Sequence, residues 1–329
     1  MREKEFAKQM KRVKEYQEKV QNGESLGKRE LLLLAEEPLS ELCLAADEIR
    51  RYFCGNSFDI CAVVSAKGGI CSEDCRFCSQ SAHNPSCLSV PQFPLLSTEK
   101  LVEGARQKEK KNVMAYGVVA SGRALSAEET ERLCDSLRQM KRETKIRLCG
   151  SLGLLDDEQL KKLKAAGLQM LHNNLESSET YFRRMCTTHT YEEKKRTIRA
   201  AKAAGLSVCS GALFGIGETM EDRIELALEE RELGTASIPV NMLDPVKGTP
   251  MEDQPILSVD EMRRIVALFR FALPDAYIRL AAGREYLEDK GRSCFLSGAN
   301  AVISGDFLTT LGISIDSDLK MLRELGYEV

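Results

Sequence analysis

Apolar and polar positions along the chain fall into two alternating rhythms. Short runs rich in apolar and β-branched residues lie near 58–65, 112–120, 145–152, 168–175, 206–214, 237–243, 276–281 and 299–304. Charged stretches with the spacing of amphipathic helices separate most of them. This order predicts an α/β fold in which parallel βα units close into a (βα)8 TIM-type barrel. The barrel is expected over 53–329, with an N-terminal helical extension and cap over 1–52. Residues 1–24 are charge-dense and only weakly amphipathic, which predicts a solvated surface helix ending at the Asn22-Gly23 turn. A second helical stretch, carrying Leu31, Leu32, Leu33, Leu34, Leu39 and Leu42, reads as a cap packed on the barrel. Lys164-Ala165-Ala166-Gly167-Leu168 and Lys202-Ala203-Ala204-Gly205-Leu206 repeat one joint, each with glycine where a helix stops.

The strands themselves break a rule. Parallel barrel strands are usually apolar throughout, because helices cover one side and packed side chains fill the other. Here several alternate. In 145–151, Ile146 and Leu148 share one face while Arg147, Cys149 and Ser151 share the other. The same phase recurs in Phe58-Asp59-Ile60-Cys61, in Leu206-Ser207-Val208-Cys209 and in Tyr277-Ile278-Arg279-Leu280. If the apolar partners face the helices, Cys61, Cys149, Cys209 and Arg279 point into the lumen. A polar lumen implies a site.

Charge and composition remove other classes. With 47 basic and 50 acidic residues the net charge is −3, which argues against a nucleic-acid binder. No run approaches the length of apolar sequence a membrane helix needs, and the charged N-terminus lacks the apolar core of a secretory signal. A cytoplasmic location follows as the expectation. In that reducing compartment the 12 cysteines call for metal rather than a disulfide framework.

Cys71, Cys75 and Cys78 form C-x3-C-x2-C directly after the first strand. Zinc is the plain alternative, but structural zinc usually takes four ligands and no second CxxC pair exists. Three closely spaced thiolates instead suit three corners of a 4Fe–4S cube, leaving one iron open. This spacing at this place resembles the signature of the radical S-adenosylmethionine enzymes. The resemblance implies that S-adenosylmethionine chelates the open iron and that electron transfer releases a 5′-deoxyadenosyl radical, which abstracts hydrogen from inert carbon. It places Phe77 near the adenine, and Gly215-Ile216-Gly217-Glu218 resembles the superfamily's adenine-contacting stretch.

Within that superfamily the chain is similar to the biotin synthase family from about residue 31 to 327. The likeness rests on CSEDCRFCSQS (71–81), HNNLE (172–176), VCSGALFGIGET (208–219), VNMLDPVKGTP (240–250), IRLAAGRE (278–285) and 297–310. It implies conversion of dethiobiotin to biotin, with sulfur drawn from an auxiliary iron–sulfur cluster deeper in the barrel. It also implies a flavodoxin- or ferredoxin-type electron donor and a homodimer. Asn174, Glu176 and Asn241 fall where the family contacts S-adenosylmethionine or dethiobiotin, and Thr309 and Thr310 where it grips the substrate's ends. Glu176 stands where the family more often has Asp. Lys194 replaces an Arg that reaches the methionine carboxylate, offering a point charge in place of a fork.

The same match assigns Cys149, Cys209 and Arg279 to the auxiliary site. The family's usual 2Fe–2S cluster there has a third cysteine on the second strand, where this chain has Ala115. Cys61, in the inward phase of the first strand, occupies a position where better-known members carry serine. Loss and gain read as one exchange, so Cys61, Cys149 and Cys209 are the expected ligands. With Arg279 as a fourth ligand they suit a 2Fe–2S cluster; without it they suit a four-iron cluster carrying an extra sulfide, the reading we favour because arginine normally stays protonated.

The remaining residues have plain readings. Cys43, Cys54, Cys87, Cys134, Cys186 and Cys294 read as packing or surface thiols. His172 reads as a satisfied pocket residue, His83 and His189 as solvated or substrate-proximal, and Arg284 as a candidate rim salt-bridge partner. Two rival functions stand: a radical enzyme of similar barrel without sulfur insertion, such as a hydrogenase-cofactor maturase, and a non-catalytic iron–sulfur carrier.

Overall fold

The computed structural model describes residues 2–306 and 312–329, with side chains from residue 11 onward. Three helices lead in: α1 (Arg2–Gln21), α2 (Lys28–Ala35) and α3 (Leu39–Cys54). Then β1 (Asp59–Lys67), α4 (Thr98–Lys110), β2 (Ala115–Ala120), α5 (Ala127–Glu143), β3 (Arg147–Ser151), α6 (Asp157–Ala166) and β4 (Met170–His172) follow in alternation. The second half holds α7 (Glu179–Phe182), α8 (Tyr191–Ala203), β5 (Ser207–Cys209), β6 (Ala212–Phe214), α9 (Met220–Leu233) and β7 (Ser237–Met242). It ends with α10 (Val259–Ala272), β8 (Tyr277–Leu280), α11 (Arg292–Phe295), β9 (Ala301–Ile303) and α12 (Ile315–Glu324).

All strands pair in parallel, in the order β5-β4-β3-β2-β1-β9-β8-β7-β6, and β5 also pairs with β7. The ring therefore closes with eight strand positions, the fifth shared by β5 and β6. Local chemistry fixes where each helix begins. Ser126, Asp156, Thr190, Thr219 and Ser258 each cap a helix and form a reciprocal box with the residue three further on. At the repeated joints Gly167 and Gly205 take positive φ, and Leu168 and Leu206 donate back to Leu163 and Ala201 as the helices end.

The structure corrects the sequence reading in three places. α1 is not a solvated appendage: Val13, Tyr16 and Val20 are buried in the main core beside α3. The stretch after it is two helices rather than one, because Pro38 starts α3 and cannot continue α2. The run at 206–214 is an interrupted strand.

That interruption serves the site. A Cβ on Gly211 would lie 2.2 Å from the Pro239 carbonyl oxygen on the next strand, so only glycine fits. Released from the ladder, the Gly211 N–H donates to Asn174 Oδ1 and its carbonyl accepts from the Glu176 N–H. A side chain here forces the backbones apart, so Gly211→Ala is expected to cost about 1–3 kcal/mol, the range for overpacking. Urea unfolding of the metal-free chain measures this, and an unchanged midpoint contradicts the close approach.

Candidate functional site

The C-x3-C-x2-C segment leaves β1 at the C-terminal mouth of the barrel, the end where barrel enzymes build their sites. It folds on itself. The Cys71 N–H donates to the Gln80 carbonyl, the Cys78 N–H to the Cys75 carbonyl, and Asn84 Nδ2 to the carbonyls of Cys75 and Cys78. The segment is also fastened to residues 185–189. Asp74 accepts from the N–H groups of Thr187 and Thr188, and the Arg76 N–H donates to the Met185 carbonyl. With these backbone groups satisfied locally, none of them competes for a ligand at the three thiols.

Deeper in the lumen Cys61, Cys149 and Cys209 form one buried group with Ala115 and Met170. Cys61 and Ala115 are register partners on neighbouring strands. A thiol moved from one position to the other stays in the same layer of the barrel. Burial pushes the three thiols up, to about 12 for Cys61 and Cys209 and about 11 for Cys149. Three soft donors crowded in a dry layer suit a thiophilic iron–sulfur group, which supplies the positive charge that burial withholds.

Arg279 lies beside them, almost fully enclosed. Its Nε donates to Ser237 Oγ, one terminal nitrogen donates to the Val302 carbonyl, and the other pairs with Asp59 Oδ1 at 2.5 Å. Arg147 pairs with the second Asp59 oxygen at 2.5 Å. Burial opposes ionisation of Asp59, but Arg279 and Arg147 outweigh it and hold the carboxyl below the usual range. Burial likewise opposes the Arg279 charge, and Asp59 more than restores it. The Arg147 Nε is buried without a partner, a donor left over in a lumen of thiols.

One cavity of about 320 Å³ joins both cysteine groups, with Phe77 and Cys78 on its wall as well as Cys61, Cys149, Cys209, Arg279, His172 and Asn241. Phe77 packs on Leu213, Ile216 and Leu243, beside the glycine turn after β6. Glu218 does not face the cavity as a free group. Its carboxylate accepts from the N–H groups of Gly215 and Ile216 and from Arg223 Nε, so it shapes the turn from behind. Gly217 takes φ +95°, the left-handed region that favours glycine.

Asn174 Nδ2 donates to Glu176 Oε2. Glu176 is half-buried at φ +71°, a left-handed conformation in which Asp and Asn are enriched among non-glycine residues. Burial raises its carboxyl above the ordinary value. Lys194 is buried and donates to the Asn174 carbonyl at 2.9 Å, beneath an Asn173 Nδ2 that has no partner. Asn241 bridges strands by accepting from the Ala282 N–H and donating to the Ala212 carbonyl. Thr309 and Thr310 lie outside the described residues. His172 sits 3.5 Å from Cys209 Sγ, and burial lowers its imidazole to about 4. Arg284 makes a two-pronged pair with buried Asp318 and is structural.

Sequence reasoning missed three residues: Asp59, Cys186 and His189. Asp59 shared the inward phase of Cys61, and that alternation could have found it. Cys186 and His189 are not an ordinary packing thiol and a solvated imidazole: both are buried, Cys186 Sγ lies 3.2 Å from His189 Nδ1, and that nitrogen meets Glu73 Oε2 at 2.6 Å. The only trace in the sequence was the Cys-x2-His spacing.

The Asp59 pairs carry a prediction. Removing one partner of a buried ion pair typically costs about 3–5 kcal/mol, so Asp59→Asn should destabilise the chain by that order near neutral pH. The parent's Asp59 carboxyl is depressed in the folded state, so its contribution is full above the unfolded value of about 3.9 and is lost as pH falls below it. Urea midpoints of parent and variant should therefore converge on acidification; a pH-independent gap contradicts the pairing.

Comparison with known proteins matches this geometry. The Radical SAM superfamily model matches residues 66–229, and the Biotin and Thiamin Synthesis associated domain model matches residues 239–328. A biotin synthase from Brachyspira hyodysenteriae is 51% identical over 96% of this chain and 94% of its own length. One from Akkermansia muciniphila is 50% identical over 94% and 96%. Among solved structures, methylornithine synthase aligns at TM-score 0.82 and 21% identity over 95% of this chain and 96% of its own. A FeFe-hydrogenase maturase from Carboxydothermus hydrogenoformans aligns at 0.80 and 18% over 96% and 78%. Those two likenesses show the barrel fold alone, so the maturase alternative has no support beyond architecture. Identity at half of all positions along nearly the whole chain, with both domain models in order, makes this chain a member of the biotin synthase family of radical S-adenosylmethionine enzymes.

Proposed function

We propose that this chain converts dethiobiotin to biotin, with Cys71, Cys75 and Cys78 holding a 4Fe–4S cluster and Cys61, Cys149 and Cys209 holding a four-iron cluster with an extra sulfide. The observation that carries the reading is the single cavity lined by Cys78 of the first cysteine group together with Cys61, Cys149 and Cys209. When bound, the two clusters supply the electron that cleaves S-adenosylmethionine and the sulfur that enters the product.

The chain's own residues bind, orient and exclude water. Phe77 and the Gly215–Gly217 turn offer an apolar slot for the adenine, with Glu218 and Tyr181 fixing the turn's backbone. Asn174, Glu176 and Lys194 supply the polar end of the S-adenosylmethionine site. Lys194 reaches it through the Asn173–Asn174 backbone, so its charge is set back from the ligand that an arginine fork in relatives would touch. Asn241, at the cavity wall, is assigned to dethiobiotin, as are Thr309 and Thr310. The closed lumen keeps a radical from stray reaction.

Arg279 favours the four-iron version. Each of its nitrogens already donates a hydrogen bond, and Asp59 strengthens its charge. A ligand nitrogen must lose a proton and those bonds. Arg279 and the unpartnered Arg147 Nε instead offset the negative charge of an anionic cluster. We assign residues 53–329 to the catalytic barrel and 1–52 to a cap, and place the reaction in the cytoplasm, carried out by a homodimer served by a flavodoxin- or ferredoxin-type donor. Among the described residues no helix is long and apolar enough to cross a membrane.

The test is anaerobic reconstitution with iron, sulfide, S-adenosylmethionine, reductant and dethiobiotin. The parent should form biotin and 5′-deoxyadenosine. Cys61→Ala should still cleave S-adenosylmethionine while iron content falls and biotin drops to background. Unchanged iron and biotin in that variant overturn the ligand set, and 5′-deoxyadenosine without biotin from the parent overturns the reaction.

A further inference from the structure

Cys186 and His189 have no part in the chemistry above, yet they stand against one of its cysteines. One donor atom from each of Cys75, Cys186 and His189 lies within 4.8 Å of the others. Cys186 Sγ is 3.2 Å from His189 Nδ1 and 3.8 Å from Nε2. A tetrahedral zinc-type ion with bonds of about 2.3 Å to sulfur and 2.0–2.1 Å to nitrogen separates its ligands by about 3.6–3.8 Å, the spacing that Cys186 Sγ and His189 Nε2 already have.

The surroundings resemble those of a built site. Glu73 Oε2 meets His189 Nδ1 at 2.6 Å, leaving Nε2 as the metal-facing nitrogen in a carboxylate–histidine arrangement. Glu73 is in turn held by Arg123 and the Thr188 hydroxyl. Asp74 Oδ1 accepts from the Cys186 thiol at 3.1 Å and so fixes that sulfur against the cysteine segment. Cys186 and His189 are both buried, and the loop carrying them is fastened to the cysteine segment through Asp74.

We propose that the cluster-free chain binds one thiophilic divalent ion, zinc or ferrous iron, at Cys75, Cys186 and His189. Binding replaces the two thiol protons, which leave to solvent, with bonds to the ion. Because Cys75 is shared, an ion here withholds one corner from the first cube. Zinc therefore competes with cluster assembly, whereas ferrous iron at the same place is the first iron taken up. The site itself stands on the geometry; the competition rests on the reading of Cys75 as a cube ligand.

Anaerobic titration of the metal-free full-length chain with Co2+, a spectroscopic stand-in for zinc, tests the site. One equivalent should bind with thiolate-to-cobalt charge-transfer bands and tetrahedral ligand-field bands. Losing a ligand should cost at least the tenfold that loss of a mere supporting contact can cost, so Cys186→Ala, Cys186→Ser and His189→Ala should each weaken binding by about tenfold or more. Cys71→Ala should leave it intact. The opposite pattern, with Cys71→Ala abolishing binding and both Cys186 variants unaffected, puts the ion among the cube cysteines and overturns the proposal. The serine variant and circular dichroism separate a lost ligand from a lost fold. Zinc-loaded parent should then take up iron and sulfide more slowly than Cys186→Ser treated alike. Cobalt bound as expected without any effect of zinc on assembly would leave the site standing and overturn the competition.

Discussion

A carboxylate buried between two guanidiniums sets the terms for this barrel. Asp59 joins Arg279 on one side and Arg147 on the other, each at 2.5 Å, inside a lumen that most barrels fill with branched apolar side chains. None of the three charges could be buried alone without a large penalty, and together they leave a net positive excess. That excess faces three thiols which, without metal, stay protonated because burial disfavours their charged form. The lumen is thus charged and soft in the one combination that an anionic iron–sulfur cluster satisfies.

The fold delivers that combination by register. Cys61, Cys149 and Cys209 come from three strands, and parallel pairing in steps across β2 and β4 brings them into one group. Cys61 and Ala115 share a register position, so a cysteine on either strand meets the same layer. At the mouth above, the cysteine segment after β1 lines the same cavity through Phe77 and Cys78. The break between β5 and β6 frees backbone groups of Gly211 to orient Asn174 and Glu176.

Much of this was legible in the sequence because barrel strands expose a period of two. Cys61, Cys149, Cys209 and Arg279 announced themselves as polar positions in phase with apolar neighbours that face the helices. The C-x3-C-x2-C spacing was legible for the same reason that any local motif is: its geometry is made by adjacent residues. Asp59 carried the same phase as Cys61, but its partners lie on β3 and β8 and only closure of the ring brings them near. Cys186 and His189 depend on two loops far apart in the chain. α1 misled because its few apolar residues, Val13, Tyr16 and Val20, are enough to bury one narrow stripe while the rest stays charged.

The central claim is that the lumen holds its own cluster, independent of the one at the mouth. Replacing Cys71, Cys75 and Cys78 together with alanine removes the first cube and leaves Cys61, Cys149 and Cys209 in place. After anaerobic reconstitution, iron and sulfide analysis with Mössbauer spectroscopy of this variant should find about four irons per chain in a single four-iron cluster. Two irons, or none, would contradict the account.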